Sequence, residues 1–111
     1  MSTQDPGTVA GQSATAIVDP AAEATYWSEN YLKRNYLLPE KRYSDYEPAF
    51  RHGWESRARS AGRPFREVEG DLERAWEKVK GASSLAWTQA RLAVSDAWHR
   101  AGRPAAAPVI P

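Results

Sequence analysis

FREVEGDLERAWEKVKGASSLAWTQARLAVSDAWHRA, residues 65 to 101, is the stretch that decides the fold. Its largest side chains, Phe65, Trp76, Trp87 and Trp98, lie eleven residues apart. Between them fall Val68 and Leu72, Val79 and Ser83, Ala90 and Val94, then Ala101, so the steps run 3, 4, 4 throughout. Eleven residues make almost three α-helical turns, about 3.67 residues each, so these side chains form one stripe along a helix. The dipeptide Ala-Trp repeats with the stripe, at Ala75-Trp76, Ala86-Trp87 and Ala97-Trp98. An amphipathic helix, or two in tandem, is the reading, and its aromatic face needs a surface to cover it.

Working outward, Gly81 followed by Ala82-Ser83-Ser84 supplies a C′ glycine and a new N-cap, which predicts a break or kink. The alternative is one uninterrupted helix of about 37 residues, near 55 Å long at 1.5 Å per residue. After a break, the final helix is expected from Ser84 to about Arg100, stopped by Gly102 and Pro104. Pro64 suits the first position of the preceding helix, and Glu67, Glu69 and Asp71 suit its positive end. Upstream, Tyr43, Tyr46, Phe50 and Trp54 continue the 3, 4, 4 steps. They predict a helix capped by Ser44 or Asp45, with Pro48 in its first turn, ending near Ala61 before a left-handed Gly62. Gly53 is expected to weaken that helix by roughly 1 kcal/mol relative to Ala. Tyr26, Trp27, Tyr31, Leu32 and Leu38 predict an earlier helix over 21–38, opened by Asp19-Pro20 and closed near Leu37 by Pro39.

The expected architecture is all-α, with three or four short amphipathic helices over residues 21–102. Residues 1–20 are small and polar with almost no bulky apolar groups, and 103–111 are rich in Pro and Ala. Neither segment can bury enough surface to offset its ordering entropy, so both are expected to be disordered tails. A domain of that size is marginal alone, which favours self-association or a bound partner. Five Trp and five Tyr stand against two Phe. That balance suits interfaces, where a ring keeps one polar atom near water.

Several function classes find no footing. Cysteine is absent, which removes disulfide scaffolds and thiol chemistry. His52 and His99 are the two histidines, and neither stands in an HxxxH or ExxH spacing, so no metal and no cofactor is expected. Glu67, Glu69, Asp71 and Glu73 are better explained by the helix dipole and solubility than by acid–base catalysis. No Gly-rich phosphate loop or serine nucleophile elbow occurs. No apolar run nears the ~20 residues that span a bilayer. The first twenty residues have no basic start and no apolar core of a signal peptide, so a cytoplasmic location is expected.

Net charge is +1, yet charge is segregated. Arg51, Arg57, Arg59, Arg63 and Arg66 against Glu55 give residues 51–66 a balance of +4. Residues 67–77 carry −4, and 78–103 return to +4. Such blocks can align neighbouring helices antiparallel, within a chain or between two, or stand simply as solvated faces. The five arginines, interleaved with Trp54 and Phe65, are also a candidate grip on nucleic acid. The acidic block that follows at once would repel the same polyanion. Trp on one face with Lys78, Lys80, Arg91 and Arg100 elsewhere admits a membrane-surface helix as well.

From Tyr26 to Arg100 the chain resembles a group of small, functionally uncharacterised bacterial proteins. The likeness is carried by Tyr26-Trp27-x-Glu29-Asn30-Tyr31, by Tyr43-x-Asp45-Tyr46-Glu47-Pro48-Ala49-Phe50-Arg51-x-Gly53-Trp54-Glu55-Ser56-Arg57, and by Phe65-x-Glu67-Val68-Glu69-x-Asp71-Leu72-Glu73-x-x-Trp76-Glu77. Leu85-Ala86-Trp87 through Asp96-Ala97-Trp98 extends it. Where similar proteins usually have Tyr-Arg-Tyr-Gly, this one has Phe50-Arg51-His52-Gly53. Some of the group are linked with general stress response, so the resemblance implies that association and no mechanism. Eleven-residue amphipathic repeats also occur in late-embryogenesis-abundant stress proteins, but those are usually poor in Trp.

The functional expectation is a non-enzymatic helical protein that works by self-association or by binding a protein partner. Trp54, Phe65, Trp76, Trp87 and Trp98 are its candidate anchors, because large rings in desolvated pockets carry most interface energy. The alternative is membrane-surface or nucleic-acid binding through Arg51, Arg57, Arg59, Arg63 and Arg66 and the basic last helix.

Overall fold

A computed structural model describes residues 18–101; of the tails expected to be disordered, 1–17 and 103–111 lie outside the described residues, while 18–20 are ordered, with Asp19 and Pro20 opening the first helix. Within that span the fold is all-α. Helix α1 runs Pro20–Asn30, α2 Tyr43–Arg59, α3 Phe65–Val79 and α4 Trp87–Ala101, with a 3₁₀ turn over Tyr31–Lys33 after α1.

Local chemistry accounts for most of these boundaries. Asp19 caps α1 as expected, its Oδ1 accepting from the N–H groups of Ala21 at 3.1 Å and Ala22 at 3.3 Å, with Pro20 at the first position. The helix does not continue to Leu37, as the apolar spacing predicts. After Lys33 the chain turns extended at Arg34, and Arg34 and Tyr36 both reach Asp96 on α4. Neither Ser44 nor Asp45 is the N-cap of α2. Arg42 occupies that position, and Asp45 reaches back to accept its N–H at 3.1 Å. Pro48 consequently falls in the second helical turn instead of the first.

Helix α2 stops at Arg59, two residues before the expected end, and Ser60 follows as its C-cap. Both Ala61, at φ 53°, and Gly62, at φ 83°, are left-handed. An alanine there costs roughly 1 kcal/mol against its Cβ. Ala61→Gly removes that cost but loosens the unfolded chain, so the variant should gain up to about 0.5 kcal/mol, read as a higher urea midpoint at unchanged slope. Pro64 is extended and precedes α3 instead of opening it.

The break at Gly81 is present: α3 ends at Val79 and Gly81 takes φ +58°. Helix α4 begins at Trp87, three residues later than the N-cap serine suggests. Ser83 and Ser84 are used elsewhere. Ser83 Oγ donates to the Asp45 carbonyl at 2.6 Å, and the Ser84 N–H donates to Asp45 Oδ1 at 2.9 Å. The Ser84 N–H first, and the Arg42 N–H second, hold the Asp45 carboxyl below its ordinary range.

A longer period than eleven emerges from the helices themselves. Tyr43, Phe65 and Trp87 are the first residues of α2, α3 and α4, so successive helices start 22 residues apart. Eleven residues into each comes a tryptophan: Trp54, Trp76, Trp98. Helices α3 and α4 run antiparallel, which brings ring against ring across the hairpin. Phe65 meets Trp98 edge-on at 5.6 Å between centroids, and Trp76 meets Trp87 at 6.5 Å. Glu69 on α3 pairs with Arg91 on α4. The opposed charge blocks therefore align two helices at one point, while Asp71, Glu77 and Glu67 pair locally with Arg74, Lys80 and Arg63.

The largest helix–helix interface joins α2 to α4. At its crossing sits Gly53, where a Cβ would overlap the Val94 carbonyl and come within 2.8 Å of Ala97 Cβ. Gly53 and Ala97 occupy the same place in their repeats, each just before a tryptophan. Gly53 is the contact that lets two helices approach, and its weak helix propensity is secondary.

Candidate functional site

Two features of the molecule bring candidate side chains together: the aromatic layer and a cleft between α2 and α3. The layer is built from the stripe. Trp54 is 3% exposed, Trp76 0% and Trp98 1%, so three of the five expected anchors are enclosed by their own chain. Trp76 donates from Nε1 to the Leu85 carbonyl at 3.0 Å, which ties α3 to the segment before α4. Phe65 and Trp87 are half-buried against the core, and Val79 on the same stripe is 39% exposed. Trp27 stacks on Phe50 at 4.2 Å and 10°, docking α1 on α2.

Trp27 was legible as a helical apolar residue, but not its surroundings. Arg34 lies 4.7 Å from its ring and pairs with Asp96 at 2.8 Å. Asp96 also accepts from the Tyr36 hydroxyl at 2.7 Å. Burial first, and that hydrogen bond second, push the Tyr36 phenol well above its ordinary range. Arg100 pairs with Glu23 at 3.2 Å and lies 3.5 Å from the Tyr26 ring. No sequence signal links residues 23–36 to 96–100, because the pairing spans the whole bundle. The two arginines of α4 are thus both held within the chain, Arg91 by Glu69 and Arg100 by Glu23.

The five arginines read as one basic segment are dispersed by the fold. Arg51 pairs with Glu47 at 3.3 Å. Arg57 lies 5.2 Å from the Trp98 ring, covering the core as a cation over an aromatic face. Arg66 is exposed on α3. Only Arg59 and Arg63 come together, at the mouth of the cleft.

That cleft encloses about 250 Å³. Its floor is Val68, Leu72 and Trp98, and His52, Ser56 and Ser60 form the α2 wall. His52 is 4% exposed, and its Nε2 lies 3.1 Å from the Leu72 carbonyl, so the neutral ring donates there. Burial pushes the imidazole below its usual 6.5; the Leu72 bond opposes this, nearby Arg59 adds to it, and Glu55 opposes it.

The sign of the pH effect follows. Below about pH 6.5 the unfolded chain takes a proton on this residue before the folded one does. Stability is therefore complete above that pH and declines as pH falls toward about 5, above the main carboxylate range. Urea midpoints of the natural protein should drop over this window, and His52→Gln should flatten the slope, since an amide can still donate to Leu72. Equal slopes in both proteins would remove His52 as the cause.

Among the described residues no three His, Asp or Glu side chains form a metal-holding group. Nor is any helix there long and apolar enough to cross a membrane. Comparison with protein-family models, with curated proteins and with solved structures finds no match for this chain.

Proposed function

We propose that the chain is a non-enzymatic interaction module that works by self-association through the uncovered part of its aromatic stripe. One observation carries the reading. Along the stripe of α3 and α4 the chain covers Val68, Leu72, Trp76, Ala90, Val94 and Trp98 but leaves Val79 39% exposed and Phe65 and Trp87 half-buried. Partly covered rings of this kind are what a second molecule can desolvate. The pairing of Glu23, Glu69 and Asp96 with arginines across helices supports the same reading, since those carboxylates are occupied in holding the bundle. A link with bacterial stress response is what the resemblance adds to it.

Size-exclusion chromatography with light scattering, over a roughly hundredfold concentration range, tests the proposal. The natural protein should pass from monomer to a larger species. Val79→Glu should stay monomeric at every concentration with an unchanged urea midpoint, because that position is outward-facing. A natural protein that remains monomeric throughout contradicts self-association.

A further inference from the structure

We propose that the cleft between α2 and α3 is a binding site for a small organic monocarboxylate with an apolar body. Its volume, about 250 Å³, lies just below the ~300–1,000 Å³ range usual for drug-sized ligands, so the occupant is compact. The floor asks for an apolar group: Val68, Leu72 and Trp98 are each at most 7% exposed to solvent, yet their surfaces line the opening. A ring or branched chain laid on them sheds water chiefly from its own surface, since the floor itself exposes little.

The rim asks for one negative charge. Arg59 makes no ion pair among the described residues, and its guanidinium donates only to Ser56 Oγ at 3.3 Å. Arg63 lies 3.6 Å from the Glu67 carboxylate, both side chains about half exposed, and donates to the Glu67 carbonyl at 3.3 Å. Asp71, the acidic residue of the rim, is paired with Arg74. One unpaired guanidinium with a second beside it matches a carboxylate, which arginine grips bidentately. A dianionic phosphate would meet Asp71 without gaining an apolar contact. On the same α2 wall the Ser56 hydroxyl, accepting from Arg59, keeps its own proton to donate.

Benzoate, 3-methylbutanoate, acetate and inorganic phosphate are the probes, titrated into the full chain and followed by amide NMR shifts and tryptophan fluorescence. Benzoate or 3-methylbutanoate should saturate below about 10 mM, moving the amides of Ser56, Arg59, Leu72 and Trp98. Acetate, lacking the apolar body, should bind at least roughly tenfold more weakly. Arg59→Gln should weaken benzoate by about tenfold or more while leaving the urea midpoint unchanged, since the side chain is exposed. Three results overturn the proposal: no saturable shift by about 10 mM, phosphate binding more tightly than benzoate, or Arg59→Gln binding like the natural protein. None depends on whether the chain self-associates, because Val79 lies outside the cleft lining.

Discussion

Gly53→Ala is expected to destabilise the fold by about 3 kcal/mol, in a helix interior where the same exchange normally gains roughly 1 kcal/mol. The sign reverses because of what the new methyl meets. It would overlap the Val94 carbonyl oxygen, lie 2.8 Å from Ala97 Cβ and 3.0 Å from the Trp98 nitrogen. All three belong to α4, and two are backbone atoms in a regular helix, so no rotamer change relieves the overlap. The helices must separate, and separation uncovers Trp54 and Trp98 together. Urea unfolding is the check. A variant as stable as the natural protein would mean that α2 and α4 do not cross at Gly53.

Trp76→Ala should cost about 4 kcal/mol. The indole is fully buried, packs near Trp87 and the His52 ring, and is the hydrogen-bond donor to Leu85. Truncation opens a cavity and strands the Leu85 carbonyl, and each effect adds to the loss. A domain this small has little stability in reserve, so the variant is expected to be largely unfolded at 25 °C. Trp76→Phe keeps most of the volume and gives the graded measurement, a loss of about 2 kcal/mol. Trp87→Ala should cost less, about 1–2 kcal/mol, because that ring is only half covered. Equal losses at 76 and 87 would contradict the difference in burial.

How far the sequence could be read depended on whether the deciding interactions were local. The 3, 4, 4 steps located α3, α4 and the inner face of α2, because helical spacing is a property of a few adjacent turns. Asp19-Pro20 and Gly81 were legible for the same reason, as caps and breaks are written into neighbouring residues. Two boundaries fall elsewhere because distant partners intervene. Tyr36 and Arg34 leave the first helix for Asp96, some sixty residues on, and Ser83 and Ser84 leave the last helix for Asp45. Gly53 was counted as a local weakness although its partner is Ala97.

The candidate site shows the same division. The sequence marks Trp54, Trp76 and Trp98, together with Phe65 and Trp87, as candidate anchors, but not whether the cover of the first three comes from within the chain. Burial of those three settles where that cover lies. The arginine segment read as one patch because its members are near in sequence. Helical phase then turns Arg51, Arg57 and Arg59 to different sides, and only Arg59 joins Arg63. The cleft itself had no signature, since half of it comes from residues 52–63 and half from 68–75 and 98.

Acrylamide quenching of tryptophan fluorescence in dilute, monomeric Trp87→Phe addresses the central claim most directly, that one chain closes its own aromatic core. The account predicts that the remaining indoles, Trp27, Trp54, Trp76 and Trp98, are shielded from the quencher until urea unfolds the protein. Quenching in the native variant as strong as in urea would contradict it.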